Sequence, residues 1–271
     1  MAAPETRPVI AVGDLHGDLP AALKVLQMAG VVDAQGHWKA GATVLVQTGD
    51  TTDRGPDSKE VIELLQALGP EAEAAGGAVV GLLGNHETMN IVGDWRYVHP
   101  GDVADFGSEE ARREAFSATG PLGVWLRQRD VVARVGDTVF VHGGVSPTWA
   151  ARGIDEINRQ ARDALDHNPL APVLGSHGPL WLRDYLQAPE SVACPALGEA
   201  LRSMGARRMV VGHTTQRSGQ VAVRCGGAIL GIDTGISAHY GGHLAALRIV
   251  GTDAVAVYPS GEVDVADPPT P

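Results

Sequence analysis

The chain has 271 residues, enough for one large domain with a sizeable core. Its formal net charge of −11 argues against a general nucleic-acid or membrane-surface binder, since both need a basic face. The two cysteines, Cys194 and Cys225, lack metal-ligand spacing, so neither a zinc module nor a disulfide scaffold is expected.

The N-terminal segment MAAPETRPVI has no long apolar run after a basic start, and no later apolar run reaches membrane-spanning length. A cytoplasmic protein is the expectation. PVIAVGD (8–14) reads as a buried strand, and Asp18 with Pro20 opens a helix through LPAALKVLQMAG, with Asp18 as its N-cap. ATVLVQTGD (42–50) is a second strand, SKEVIELLQALGPEAEA an amphipathic helix, and AVVGLLGNHE (78–87) a third strand. This alternation implies parallel pairing with helices on the faces. Residues 88–130 are polar, with helical pieces at EEARREAF and PLGVWLRQR, and read as an excursion above the sheet. Strands return over 130–144, a helix follows at IDEINRQARDALDH, then the unusual stretch GPLWLRDY, a helix at ALGEALRSMGA and a strand at RRMVVGHTTQ. QVAVRCGGAILGIDTG and GGHLAALRIVGTDAVAVYPSG alternate like antiparallel strands. With no internal repeat and no linker, one domain is expected over 1–271, its core at about 8–260 and residues 261–271 a disordered tail.

Five apolar runs end in GDLHGD, TGDTTDRG, LGNHE, VHGG and VGHT. In open α/β sheets the carboxyl ends of the strands build the site, so these groups should converge. Asp14, His16, Asp50, Asn85, His142 and His213 form a mixed oxygen and imidazole set, suited to Mn, Fe or Zn rather than Ca. Six such residues exceed one tetrahedral site and suffice for two ions with a shared carboxylate. Two ions roughly 3.5–4 Å apart suit phosphate-ester hydrolysis, with a bridging hydroxide attacking phosphorus in line. His86 adjoins Asn85, is not needed as a ligand, and is the candidate general acid, with Asp53 to hold its tautomer. Arg54 and Arg183 are candidates to fork onto phosphate oxygens.

One such motif at a strand end has an ordinary explanation in loop capping; all five in this order do not. Together the motifs resemble the metallo-dependent phosphoprotein phosphatases. GNHETMNIVGDWRYV, GPLWLR, VGHT and GIDTGIS are similar to the bacterial-type branch called Shewanella-like protein phosphatases, and the match spans about residues 8–250. The resemblance implies an α/β, calcineurin-like metallophosphoesterase fold: a β-sandwich of mixed sheets flanked by helices, in four αββα layers. It implies a first ion on Asp14, His16 and Asp50 and a second on Asp50, Asn85, His142 and His213. It also implies His86 as acid, Asp53 as its partner, Arg54 and Arg183 on phosphate, and manganese as the activating ion. The expected activity is hydrolysis of phosphotyrosine, phosphoserine or phosphothreonine in a phosphoprotein or phosphopeptide, with no nucleic-acid or membrane partner. The rivals are a diadenosine-tetraphosphate hydrolase, a broad nucleotide or small-ester phosphoesterase, and an inactive binding module. Diadenosine-tetraphosphate hydrolases usually lack an aspartate at the position of Asp53, and no ligand is missing here. Thr52 departs from the pattern, where relatives often carry an apolar residue, without touching the expected chemistry.

Several residues take plainer readings. Glu87 caps or braces its loop; His37, His99, His167 and His177 are surface or loop residues; His239 and His243 are loop residues beside Tyr240, which could line a substrate cleft. Arg96 and Tyr97 either shape the rim or pack the excursion. Trp125, Trp149 and Trp181 belong to the core, with Trp181 next to the loop of Arg183.

Overall fold

The computed structural model describes residues 5–265. Strand β1 (Val9–Val12), helix α1 (Leu19–Met28), strand β2 (Val44–Gln47), helix α2 (Ser58–Ala74) and strand β3 (Ala78–Gly81) follow the expected order. The excursion contains helices α3 (Asn85–Ile91), α4 (Pro100–Asp105), α5 (Glu109–Phe116) and α6 (Pro121–Arg127). Next come β4 (Val132–Val135), β5 (Thr138–Val141), α7 (Pro147–Ala150), α8 (Ile154–His167), α9 (Asp184–Gln187), α10 (Glu190–Ser203) and β6 (Arg208–Val211). The chain closes with β7 (Ala222–Arg224), β8 (Ile229–Gly231), β9 (Ala246–Val250), β10 (Asp253–Tyr258) and β11 (Gly261–Val265).

The strands form two mixed sheets, β11-β10-β9-β1-β2-β3 and β4-β5-β6-β8-β7. In the first, β1 runs parallel to β2 and β2 to β3, while β9 pairs antiparallel with β1. In the second, β5, β6 and β8 are parallel, and β4 and β7 are antiparallel edges. Side chains alternate across each sheet because a strand repeats every two residues. Val9, Ala11, Val44 and Val46 meet Phe140, Val210 and Leu230 between the sheets. Ile10, Val12 and Leu45 face outward under Val25 and Leu26 of α1 and Val61 and Leu65 of α2. Val139, Val141, Met209 and Val211 face the other way, under Ile157 and Ala161 of α8 and Leu197 and Leu201 of α10. The result is the expected four αββα layers.

Four local readings are corrected. The strand expected over 78–87 ends at Gly81, and Asn85 opens α3 instead. Helix α10 begins at Glu190 and runs through Pro195, which lies in its early turns. Gly261–Val265 is not a disordered tail but pairs with β10 as an edge strand; the ADPPTP segment lies outside the described residues. Cys194 and Cys225 are joined in a disulfide, because α10 packs its Cys194 against the turn after β7, where the Cys225 N–H donates to Glu190 Oε1. Sequence spacing cannot reveal a pairing set by packing.

Candidate metal centre

The carboxyl ends of the parallel strands from both sheets open onto one rim. Asp14 follows β1, Asp50 follows β2, Asn85 follows β3, His142 follows β5 and His213 follows β6. All are buried. The loops approach so closely that a Cβ on Gly84 would lie 2.1 Å from Asp50 Oδ1, and one on Gly212 would lie 2.3 Å from Asp14 Oδ1. Among the described residues, six non-glycine residues have positive φ, and His16, Asp50, Asp53, Arg54 and His213 are five of them. Each such conformation costs on the order of 1–3 kcal/mol and persists only where surroundings over-determine it.

Backbone N–H groups hold the carboxylates. The His86 N–H donates to Asp50 Oδ1 (3.0 Å), and the His213 N–H donates to Asp14 Oδ1 and Oδ2 (3.2 and 3.1 Å). Asp50 Oδ2 is thereby left at the centre of three imidazoles: His142 Nε2 at 3.2 Å, and His16 Nε2 and His86 Nε2 each at 3.8 Å. Asp14 Oδ2 lies 3.8 Å from His16 Nε2. The ligand-capable atoms of His16, Asp50 and His86 lie within 4.8 Å of one another, and so do those of Asp50, His142 and His213. Two trios thus share Asp50.

Outer contacts fix the rings. His16 Nδ1 donates to the Thr52 carbonyl (3.1 Å) and His142 Nδ1 to the Thr48 carbonyl (2.9 Å), because a carbonyl can only accept. In the neutral rings Nε2 then carries a lone pair toward Asp50. Thr52 therefore does touch the site, against the expectation, through a carbonyl whose direction depends on the loop and not on residue type.

These donors fit divalent cations. With Nδ1 on the Thr48 carbonyl, His142 Nε2 faces Asn85 Oδ1 at 2.9 Å and Asp50 Oδ2 at 3.2 Å, so nitrogen and oxygen atoms of three side chains converge on one point. His213 Nε2 and Asp233 Oδ2 are buried without hydrogen-bond partners. Burial keeps His16 neutral, its pKa down to about 3, and holds His213 well below the ordinary histidine range, helped by neighbouring His142 and Arg183. Neutral imidazole is the ligating form. Burial, with the charges of Asp233 and Asp50, raises Asp14 well above the usual carboxylate range. Burial also opposes the charge of Asp50, but His142 and His86 outweigh it and hold Asp50 well below that range. For His86 burial again works against charge, yet Asp50 and the bond to Asp53 prevail and raise it.

His86 Nδ1 lies 2.6 Å from Asp53 Oδ2, with Asp53 fully buried. Arg54 and Arg183 lie on the same rim and line, with His16, His86 and Trp181, a cavity of about 180 Å³. The Arg54 guanidinium sits 4.0 Å over the Tyr97 ring and 5.9 Å from Tyr240. Arg183 is held by the His213 carbonyl, and Trp181 meets His213 edge-on at 5.6 Å. A larger open groove of about 870 Å³ along β4 has none of the candidate ligands in its walls.

Tyr240 lies 4.8 Å from His16, and its loop is tied down by the Ala238 N–H donating to Asp18 Oδ2. Asp18 also caps α1 through the Ala21 N–H. Glu87 braces the loop: it accepts from the N–H groups of Gly84, Asp50, Thr51 and Thr52 and from both threonine hydroxyls. Exposed Arg96 is spent on half-buried Asp94, His99 caps α4, and His37 pairs with Glu71 at the surface. His243 packs against Gly219 and Gly241, and Trp149 is core. Sequence reasoning missed Asp233 and two residues that face Asp53 Oδ1, Asn90 with Nδ2 at 2.8 Å and Arg112 with Nη2 at 4.0 Å. GIDTGIS placed Asp233 after a strand, as the candidate ligands are placed, and that signal could have found it. Asn90 and Arg112 carry no such signal.

The profile of the calcineurin-like phosphoesterase family matches residues 7–217. An uncharacterized protein of Schizosaccharomyces pombe is 41% identical over 92% of this chain and 79% of its own length. Shewanella-like protein phosphatase 2 of Arabidopsis thaliana is 32% identical over 84% of this chain and 71% of its own. The crystal structure of a cold-active protein-tyrosine phosphatase from a psychrophilic Shewanella superposes with a TM-score of 0.85 at 27% identity, covering 96% of this chain and 80% of that one. The similarity thus reaches a fungus and a plant and is not confined to bacteria. Among the described residues no helix is long and apolar enough to cross a membrane.

Proposed function

The chain belongs to the calcineurin-like phosphoesterases, and within them to the Shewanella-like protein phosphatases; from that premise we propose a metal-dependent phosphatase of phosphoproteins that forms no covalent intermediate. The observation that carries the reading is the His86–Asp53 pair at 2.6 Å beside Asp50, whose Oδ2 is approached by both His16 and His142. Asp14, His16 and Asp50 would hold one ion, and Asp50, Asn85, His142 and His213 the other. Manganese is the ion we propose. Such ions, when bound, draw charge from the phosphoryl oxygens and make a water more acidic.

The residues of the chain do the rest. Arg54 and Arg183 both line the cavity and would orient the phosphoryl group, each as a donor fork. Tyr97 and Tyr240 flank Arg54, which leaves the guanidinium edge for substrate. His86 stands with Nε2 toward the cavity and Nδ1 on Asp53, so it can give a proton to the leaving oxygen while Asp53 keeps its orientation. The aromatic flanks and the tyrosine phosphatase neighbour favour phosphotyrosine. The presence of Asp53 speaks against the dinucleotide reading. We also propose a cytoplasmic location; the Cys194–Cys225 disulfide, a bond commoner in oxidising compartments, is the observation that speaks against it.

The test is phosphate release from matched phosphotyrosyl, phosphoseryl and phosphothreonyl peptides and from diadenosine tetraphosphate, each with EDTA and with Mn²⁺. Metal-dependent release from peptides is expected, fastest from phosphotyrosine. Cleavage of the dinucleotide alone would refute the proposal.

A further inference from the structure

Arg112 is fully buried, in an excursion that otherwise reads as polar. Burying an unpaired guanidinium is expensive, so its partners matter. Its Nε donates to Asp102 Oδ2 at 2.7 Å, and Asp102 in turn accepts from the Ser58 N–H. Its planar group lies against Phe116 (4.6 Å), Trp95 (5.0 Å) and Phe106 (5.8 Å), which fix its plane as flat cations on aromatic faces do. Both Nη atoms lack hydrogen-bond partners, and Nη2 lies 4.0 Å from Asp53 Oδ1. That same oxygen accepts from Asn90 Nδ2 at 2.8 Å, while Asp53 Oδ2 is given over to His86. Asn90 also donates to the His86 carbonyl at 2.9 Å.

The charges explain the arrangement. Asp53 and Asp102 are two buried carboxylates with one guanidinium between them. Arg112 reaches Asp53 by Coulomb attraction on Oδ1, so it does not compete for Oδ2. Arg112 thereby bears on the chemistry without itself reaching the cavity, whose walls include Tyr97 of the same excursion but not Arg112.

We propose that Arg112 is a positioning residue for proton donation, holding Asp53 through its outer oxygen, with Asn90, so that Asp53 can hold His86 against the leaving group. The inference rests on the reading of His86 as the acid. Arg112→Met alone would strand Asp102 as an unpaired buried charge, so the informative variants are Arg112→Lys and the double variant Arg112→Met/Asp102→Asn. Each is assayed as the Mn²⁺-loaded protein on aryl phosphates of graded leaving-group pKa, with metal content measured alongside and His86→Asn as the reference.

A misplaced acid costs most where the leaving group most needs a proton. We expect kcat to fall roughly 10-fold to 100-fold on the poorest leaving groups and under about 3-fold on p-nitrophenyl phosphate, at unchanged metal content. His86→Asn should show the same trend, more steeply. Uniform loss across the series in the Arg112 variants, or no loss, would overturn the proposal and leave Arg112 a packing residue. A His86→Asn loss independent of leaving group would remove the acid reading itself, and this inference with it.

Discussion

Glu87→Gln isolates what holds the site together. The Glu87 carboxylate is fully buried and takes six donors: Oε2 accepts from Asp50 N–H (2.8 Å) and Gly84 N–H (2.7 Å), and Oε1 accepts from the N–H and hydroxyl groups of Thr51 and Thr52. Glutamine has the same shape but only one accepting oxygen. The less costly amide orientation keeps that oxygen toward the threonines and turns its NH₂ toward the Asp50 and Gly84 N–H groups. Two buried donors then lose their acceptor, at about 1–3 kcal/mol each, so stability should fall by about 2–6 kcal/mol. Asp50, at φ 55, relaxes once its N–H is released, and with it the carboxylate shared by both trios. Urea denaturation and elemental analysis are the assays: the variant should unfold at lower urea and retain less metal. A variant within about 0.5 kcal/mol of the parent, with full metal content, would refute the bracing argument, since surface-like neutrality is incompatible with six buried donors. Lost turnover alongside that intact stability would point instead to a catalytic Glu87.

Four further outcomes are expected. Asp14→Asn and His142→Ala should each lower metal occupancy by elemental analysis; full occupancy in both would contradict the ligand assignment. His86→Asn should keep its metal and lose about 10²–10⁴-fold in kcat, the usual contribution of a positioned acid, so parental turnover would end that role. Mn²⁺ at about 100 times its Kd should stabilise the folded chain by about 2.7 kcal/mol over the EDTA-treated protein, raising the thermal midpoint, whereas an unchanged midpoint would argue against a metal centre in the folded state. Tyr240→Ala removes a ring 4.8 Å from His16 and should raise the peptide KM about 3-fold or more with little change in kcat, the pattern of lost uniform binding; identical kinetics would place Tyr240 outside the substrate cleft.

The strands and the candidate ligands were legible in the sequence because both are local signals, whereas the four-layer sandwich was implied by the family resemblance. The apolar runs VIAV and TVFV mark buried strands without knowledge of partners, but that Ala11 and Phe140 lie between the sheets and Val12 and Val141 outside them is decided by packing. Asp18 caps α1 as its position before Leu19-Pro20 predicts. Glycine with Asp, Asn or His after each apolar run marks a strand end, and the rim at those ends follows from parallel pairing. The remainder depends on contacts that no local pattern encodes. The His213 N–H finds Asp14 across 199 positions, and Ala238 finds Asp18 across 220. Tyr97 and Tyr240 come from different loops and meet only over Arg54. Arg112 reads as one more charge in EEARREAF until α5 packs it among Trp95, Phe106 and Phe116, facing Asp53. Thr52 matters through its carbonyl, a group every residue carries, so only the loop that aims it can make it a ligand-orienting contact. Side-chain type was enough to nominate candidate metal ligands; the groups that hold them in place are chosen by packing and backbone direction, which exist only once the chain has folded.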